Sequence, residues 1–167
     1  MDNPPDSSNT RCPRVAVAVA MAVAATVAGA EPVWASPAHR MLLLPNMHTC
    51  DFQPVTSQFG RAGATSFADI TFDGQTAVAH INMTQGADNA QYVVRMIPAP
   101  HAVLGCAAGD PGITTGLLHT DDFGTGSVTL QAPLARFTTG VWLAVDLPSA
   151  HSQMPREFYS SNYIASV

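Results

Sequence analysis

The chain has 167 residues, 47% of them hydrophobic, with 7 basic against 12 acidic side chains and a formal net charge of −5. It contains no lysine, which excludes a Walker-type phosphate loop, a Schiff base and a lysine general base. The acidic balance leaves no basic patch and argues against nucleic acid as a partner.

Arg11 and Arg14 precede an unbroken small-apolar stretch, Val15–Ala30, and small-residue cleavage patterns follow at Ala28-x-Ala30 and Val33-x-Ala35. That order is the one of a secretory signal peptide, so residues 1–35 are expected to be removed on export. The stretch is 16 residues long, shorter than the ~20 apolar residues of a membrane-spanning helix, and no stable span is expected after cleavage. Cys12 lies ahead of the apolar run rather than at its end, which argues against lipid attachment. Cys12-Pro13 separates the arginines, so they form no twin-arginine signal.

Cleavage before Ser36 leaves 132 residues with five arginines, nine acidic residues and a net charge of −4, a size typical of one self-sufficient domain. Residues 36–64 read as an irregular amino-terminal segment, in which Met41–Leu44 forms a short strand ended by Pro45. The β-domain is then expected over residues 65–167. Phe72-Asp73-Gly74-Gln75 carries the Asp-Gly dipeptide of two-residue hairpin turns. A turn centred on it pairs Thr71 with Thr76 and Ile70 with Ala77, sorting Ala68, Ile70, Ala77, Ala79 and Ile81 onto one face.

Ala90–Ile97 is apolar on both faces except for Arg95, the pattern of a strand covered on both sides. After Pro98-Ala99-Pro100 and a long loop carrying Cys106, Thr115–Leu134 reads as a hairpin around Asp121–Thr125. Its expected register sets Leu118 opposite Val128 and Gly116 opposite Leu130, with His119, Ser127 and Thr129 on the other face. Gly140–Leu147 alternates, with Val141, Leu143, Val145 and Leu147 inward and Trp142 and Asp146 outward. Phe158–Ile164 is the last strand. About seven short strands with Gly, Pro and Asp turns, and no helical period, predict an all-β fold: a single antiparallel β-sandwich.

Cys50 and Cys106 remain after cleavage, and in an exported protein an even pair reads as a disulfide, set against two buried free thiols. The bridge would clasp the irregular segment onto the sandwich.

The strand Tyr92-Val93-Val94, Cys106, Thr120-Asp121-x-x-Gly124-x-Gly126 and Val128-x-Leu130 together resemble small exported actinobacterial β-sandwich proteins of unassigned function. That resemblance implies an extracytoplasmic place and supplies no catalytic residues. The layout is also similar to the copper/zinc superoxide dismutase sandwich. None of the six histidines (39, 48, 80, 101, 119 and 151) stands at His-x-His spacing, so the metal chemistry does not transfer.

Asp121, Asp122 and Gly124 invite a calcium reading, but the full oxygen-ligand run and a downstream bidentate Glu are missing, and Asp and Gly are ordinary turn residues. Met41, Met47, His48, Met83, Met96, His151 and Met154 are soft-metal ligand types scattered through apolar runs, where methionine fills core gaps. Cleavage before Ser36 makes His39 the fourth residue, one too far for an amino-terminal copper site. No G-x-S-x-G elbow or H-E-x-x-H helix occurs, and His80 and His119 fall on polar strand faces. Asn82-Met83-Thr84 is formally a glycosylation sequon. The sequence therefore assigns no catalytic, metal or cofactor-binding residues. It points to a secreted or cell-envelope protein acting by binding or structural interaction with an extracellular partner. The alternative is an extracytoplasmic metal-handling protein or enzyme whose site is assembled from distant loops.

Overall fold

The computed structural model describes residues 37–56 and 63–167. The expected signal peptide lies outside the described residues. The strands in chain order are β1 (His39–Leu44), β2 (Met47–His48), β3 (Pro54–Val55), β4 (Thr65–Phe72), β5 (Thr76–Thr84) and β6 (Gln91–Ala99). They continue with β7 (Thr114–His119), β8 (Gly126–Pro133), β9 (Gly140–Leu147), β10 (Glu157–Ser161) and β11 (Ala165–Ser166). No helix occurs among the described residues, and every ladder is antiparallel, so the fold is all-β.

The long strands form one sheet in the order β7-β6-β9-β10-β1-β4-β5-β8, with β11 completing the far end of β9, while β2 and β3 pair separately. The sheet rolls over on itself until its first and last strands lie side by side. Alternate residues of all eight long strands, among them Met41, Ile70, Ile81, Val94, Leu118 and Leu143, then share one core. The sandwich expectation holds loosely, as a nearly closed barrel. β1 sits between β10 and β4, so the sheet begins inside the segment 36–64 rather than at residue 65. The alternation of buried Met41 and Leu43 with exposed Leu42 and Leu44 is the period-2 pattern that places β1 there.

The hairpin expected at 115–134 is corrected. β7 bonds to β6 and β8 to β5, and no ladder joins β7 to β8. Their faces are sorted as expected: Leu118 and Leu130 are buried, Val128 is half-buried, and His119, Ser127 and Thr129 are exposed. The alternation fixes which face meets the core, but it carries no information on which backbone edge bonds to which neighbour. Glycines make the seam close: a Cβ at Gly116 would lie 2.9 Å from Leu130 Cδ1, and one at Gly126 would lie 2.2 Å from the His119 carbonyl.

The β4–β5 hairpin also differs in register. Ile70 pairs with Ala79 and Phe72 with Ala77, two residues from the expected pairing. The Asp73 carboxylate accepts the backbone N–H groups of Gln75 (3.0 Å) and Thr76 (2.7 Å). Asp73 thus precedes the turn and Gly74, at φ +88°, takes its first central position, the usual place for glycine in a type II′ turn. A slip of two residues keeps every side chain on its face, which is why the core assignment survives.

At one corner the β5–β6 and β7–β8 loops are locked together. Gly86 N–H donates to the Gly124 carbonyl (3.0 Å), the Thr120 hydroxyl to the Ala87 carbonyl (2.6 Å) and Asn89 Nδ2 to Asp122 Oδ1 (2.7 Å). Beside this corner Tyr92 and Tyr159 both donate to Glu157 Oε2, at 2.7 and 3.0 Å, so two buried phenols find a charged acceptor. Burial, reinforced by Glu157, pushes both hydroxyls up from their ordinary pKa.

Gly124 combines φ +68° with a virtual Cβ 2.1 Å from the Gly86 carbonyl, whereas Gly74 has a positive φ but open space around it. Gly124→Ala is expected to lower unfolding free energy by about 3 kcal/mol or more and Gly74→Ala by about 1 kcal/mol. Urea unfolding of both variants checks this, and equal losses would show that the loop–loop contact is not tight.

Candidate functional site

The outer face of β6, β9 and β10 forms a floor whose composition follows from strand register. Ala144 lies between Arg95 on one neighbour and Ser160 on the other, and the next row sets Asp146 between Val93 and Phe158. A small residue flanked by longer ones leaves a depression in the sheet surface. Trp142 lies one row the other way, opposite Ile97.

Three walls rise around it. The first is the β2–β3 flap, whose turn is closed by Thr49 N–H donating to the Gln53 carbonyl (2.9 Å) and Phe52 N–H to the Thr49 carbonyl (2.9 Å). Phe52 takes a left-handed φ of 64°, unusual for a bulky residue. That conformation sets its ring parallel to His48 at 4.2 Å, and 5.3 Å from the Trp142 ring. The second wall is the turn at Ala107 and Ala108, fastened by Ala107 N–H on Asp110 Oδ2 (2.7 Å). The third is the loop between β9 and β10, where Ser149 and Ser152 accept the N–H groups of His151 and Met154 at 3.2 and 3.0 Å. They enclose a cavity of about 420 Å³, within the range of small-molecule sites.

The expected disulfide joins two of these walls: Cys50 and Cys106 are bonded, with their Cα atoms 5.6 Å apart. Beneath the bridge, Ile97, Cys106, Trp142 and Ala144 form a second buried cluster that Cys50 and Phe52 complete. Trp142 faces outward from the sheet, as expected, yet is only 2% exposed. The flap covers it. Asp146, also expected outward, is mostly enclosed.

Two polar pairs line the cavity. Arg95 donates from Nη2 to Asp146 Oδ2 and from Nη1 to the Cys106 carbonyl (2.7 Å). Burial pushes the Asp146 carboxyl above its ordinary pKa, against the opposing pull of Arg95. Across the floor, the Ser160 hydroxyl donates to the Asn46 carbonyl (2.6 Å), and His48 Nδ1 lies 2.7 Å from its oxygen. The hydroxyl has only one proton, so Nδ1–H is the donor to it and the imidazole lone pair is on Nε2. Burial lowers the His48 pKa and favours this neutral form. Ser160 is not set up as a nucleophile, because its proton points at a carbonyl and the adjacent ring nitrogen is a donor, not a base. The arrangement is suited to holding a molecule by shape and hydrogen bonds.

Several of the residues weighed for metals or hydrolysis are engaged away from the cavity. Asp121 Oδ1 accepts Phe123 and Thr125 N–H groups, both at 2.9 Å, which is turn chemistry. Met41, Met83 and Met96 are core residues, His80 meets Thr129 Oγ1 at 2.8 Å, and His39 packs edge-on to Phe72. Among the described residues no three His, Cys, Asp or Glu side chains gather as a metal site. Sequence reasoning did not find Arg95, Asp146, His48 and Ser160 as a group. The one signal was Arg95 interrupting an otherwise apolar strand, with an opposite charge on another strand.

Two outcomes follow. Cys50→Ser/Cys106→Ser is expected to lose up to about 4 kcal/mol on the loop-entropy account, with hydrogen exchange rising first over residues 46–55 while β1, held on both edges, stays protected. An unchanged melting temperature would remove the structural role of the bridge. Arg95→Met leaves a buried carboxylate unpaired and is expected to cost about 3–5 kcal/mol at neutral pH. A carboxyl whose folded pKa is raised binds its proton more tightly in the native state, so stability falls as pH rises from the ordinary carboxylate pKa through the raised one. Removing Arg95 takes away the opposing pull, so that fall should steepen and reach higher pH. Thermal melts between pH 4 and 7 test it, and Arg95→Met/Asp146→Leu should recover most of the loss.

Comparison of the chain with protein families, with curated proteins and with solved structures finds no match to it.

Proposed function

We propose that this chain is an exported, extracytoplasmic protein that binds a small molecule in the cavity on the outer face of β6, β9 and β10. The observation that carries the reading is the cavity's construction. An Arg–Asp pair and a His–Ser pair converge on a hollow where apolar groups such as Met47, Val93 and Phe158 stand beside the polar Ser149, Ser152 and Gln153, a mix of apolar lining and placed polar groups found in ligand sites. A filled outer face would have stabilised the sheet without burying charge. The Cys50–Cys106 bridge supports an oxidising compartment, as do the signal-peptide pattern over residues 1–35 and the resemblance to exported actinobacterial proteins. No helix among the described residues is long and apolar enough to cross a membrane. Binding here is the protein's activity, with no bond made or broken. An envelope partner would receive or deliver the bound molecule.

Native mass spectrometry of the protein exported from its own host tests both halves. The expected species begins at Ser36 and carries a non-covalent small-molecule adduct. Ala144→Leu, which fills the middle of the floor, should remove the adduct while leaving the melting temperature within a few degrees. Retention of Val15–Ala30 in the mature mass would overturn export with cleavage. An adduct unaffected by Ala144→Leu would place binding elsewhere.

A further inference from the structure

The chemistry lining the cavity narrows what it accepts, an inference that rests on the binding reading above. Among the described residues Arg95 and Asp146 are the charged side chains that line it, and they neutralise one another. A carboxylate or phosphate entering would find no free cation. Drawing Arg95 toward it would strand Asp146 in a mostly buried place, and an ammonium group would do the reverse to Arg95. Either charge would lose its hydration without a counter-charge in return. The cavity is therefore selective for uncharged molecules.

Besides the Trp142 indole N–H, which is buried without a partner among the described residues, the lining offers one acceptor of fixed direction. His48 Nδ1 is committed to Ser160, whose own proton is committed to the Asn46 carbonyl. This relay fixes the ring as the Nδ1–H tautomer, and Nε2 has no hydrogen-bond partner among the described residues. The ring plane is held by its stack on Phe52 and its edge contact with Trp142 at 6.1 Å. A rigid, neutral nitrogen acceptor on a residue that lines the cavity favours a ligand that brings a donor to it over one that brings only an acceptor there.

We infer that the cavity binds an uncharged, largely apolar molecule carrying a hydroxyl or amide N–H, whose proton is accepted by His48 Nε2.

The test uses ligand-observed NMR titrations of the full exported protein with matched quartets built on naphthalene, indane and cyclohexane. Each scaffold carries, in turn, a hydroxyl, a methoxy, a carboxylate or an ammonium group. The expected order is hydroxyl tightest, methoxy weaker by about tenfold, the worth of one hydrogen bond with its mismatch, and both charged forms weaker still. In His48→Phe, which keeps the aromatic stack, the hydroxyl and methoxy forms should bind alike. Ser160→Ala keeps the imidazole but releases its tautomer, so Nε2 can also donate, and the hydroxyl preference should shrink there too while binding persists. Charged forms binding as well as hydroxyls would overturn the selection for uncharged molecules. A hydroxyl preference that survives in both His48→Phe and Ser160→Ala would overturn the role of Nε2. Those two results leave the cavity as a binding site. Failure of every quartet to bind the unaltered protein, or binding that Ala144→Leu does not affect, would overturn the binding reading and this inference with it.

Discussion

β9 must be covered on both faces, and most of the molecule answers to that need. Its inward residues Val141, Leu143 and Val145 are buried in the barrel core, and its outward residues Trp142 and Ala144 are buried as well. A rolled sheet closes around one face only, so the other cover has to come from chain outside the barrel wall. The β2–β3 flap provides it, yet the flap holds itself poorly. Its ladder is two residues long. One aromatic contact with the sheet does not by itself offset the conformational entropy lost in ordering the segment around it. The Cys50–Cys106 bridge changes the outcome by removing most of the conformations in which the flap is away, and the aromatic stack then only has to select among those that remain.

The same bridge is coupled to the charges beneath it. Arg95 is oriented from two sides, by the Asp146 carboxylate and by the carbonyl of Cys106 itself. A guanidinium presents its donors in a fixed planar fork, so holding two of them fixes the rest. Replacing a buried ion pair by apolar residues of similar volume is often neutral or stabilising. Stability therefore gives no reason for Arg95 and Asp146 to lie on a face that Val or Leu would fill. What they supply is a polar wall of fixed geometry and zero net charge.

Much of the fold was legible because it rests on alternation. Leu118 and Leu130 inward, His119 and Thr129 outward, and Ile70, Ala79 and Ile81 on one face all follow from period 2, and they survive a register error of two residues. Edges were not legible. Nothing in Thr114–His119 or Gly126–Pro133 distinguishes bonding to each other from bonding to β6 and β5, because backbone donors and acceptors are alike in every strand. The β4–β5 turn shifted for a local reason: the Asp73 carboxylate competes for the N–H groups of Gln75 and Thr76, so a dipeptide that reads as the turn centre sits one position early.

The site was the least legible part, for a physical reason of its own. Alternation marked Trp142 and Asp146 as outward, and outward ordinarily means wet. Whether an outward residue is covered depends on a segment nearly a hundred residues earlier in the chain, His48 to Phe52, that has no period to read. Only the disulfide gave a long-range constraint, and it placed Cys50 near Cys106 without saying what lay under the bridge. Arg95 carried the remaining clue. A charged residue in a strand apolar on both faces needs a partner there, because an unpaired buried charge costs several kcal/mol. That partner has to be an acid on an adjacent strand at nearly the same height. Asp146 pairs with Val93 in the ladder, one diagonal step from Arg95. Pairing by charge demand reaches across strands where periodicity cannot, and it leads from a single misplaced arginine to the floor of the cavity.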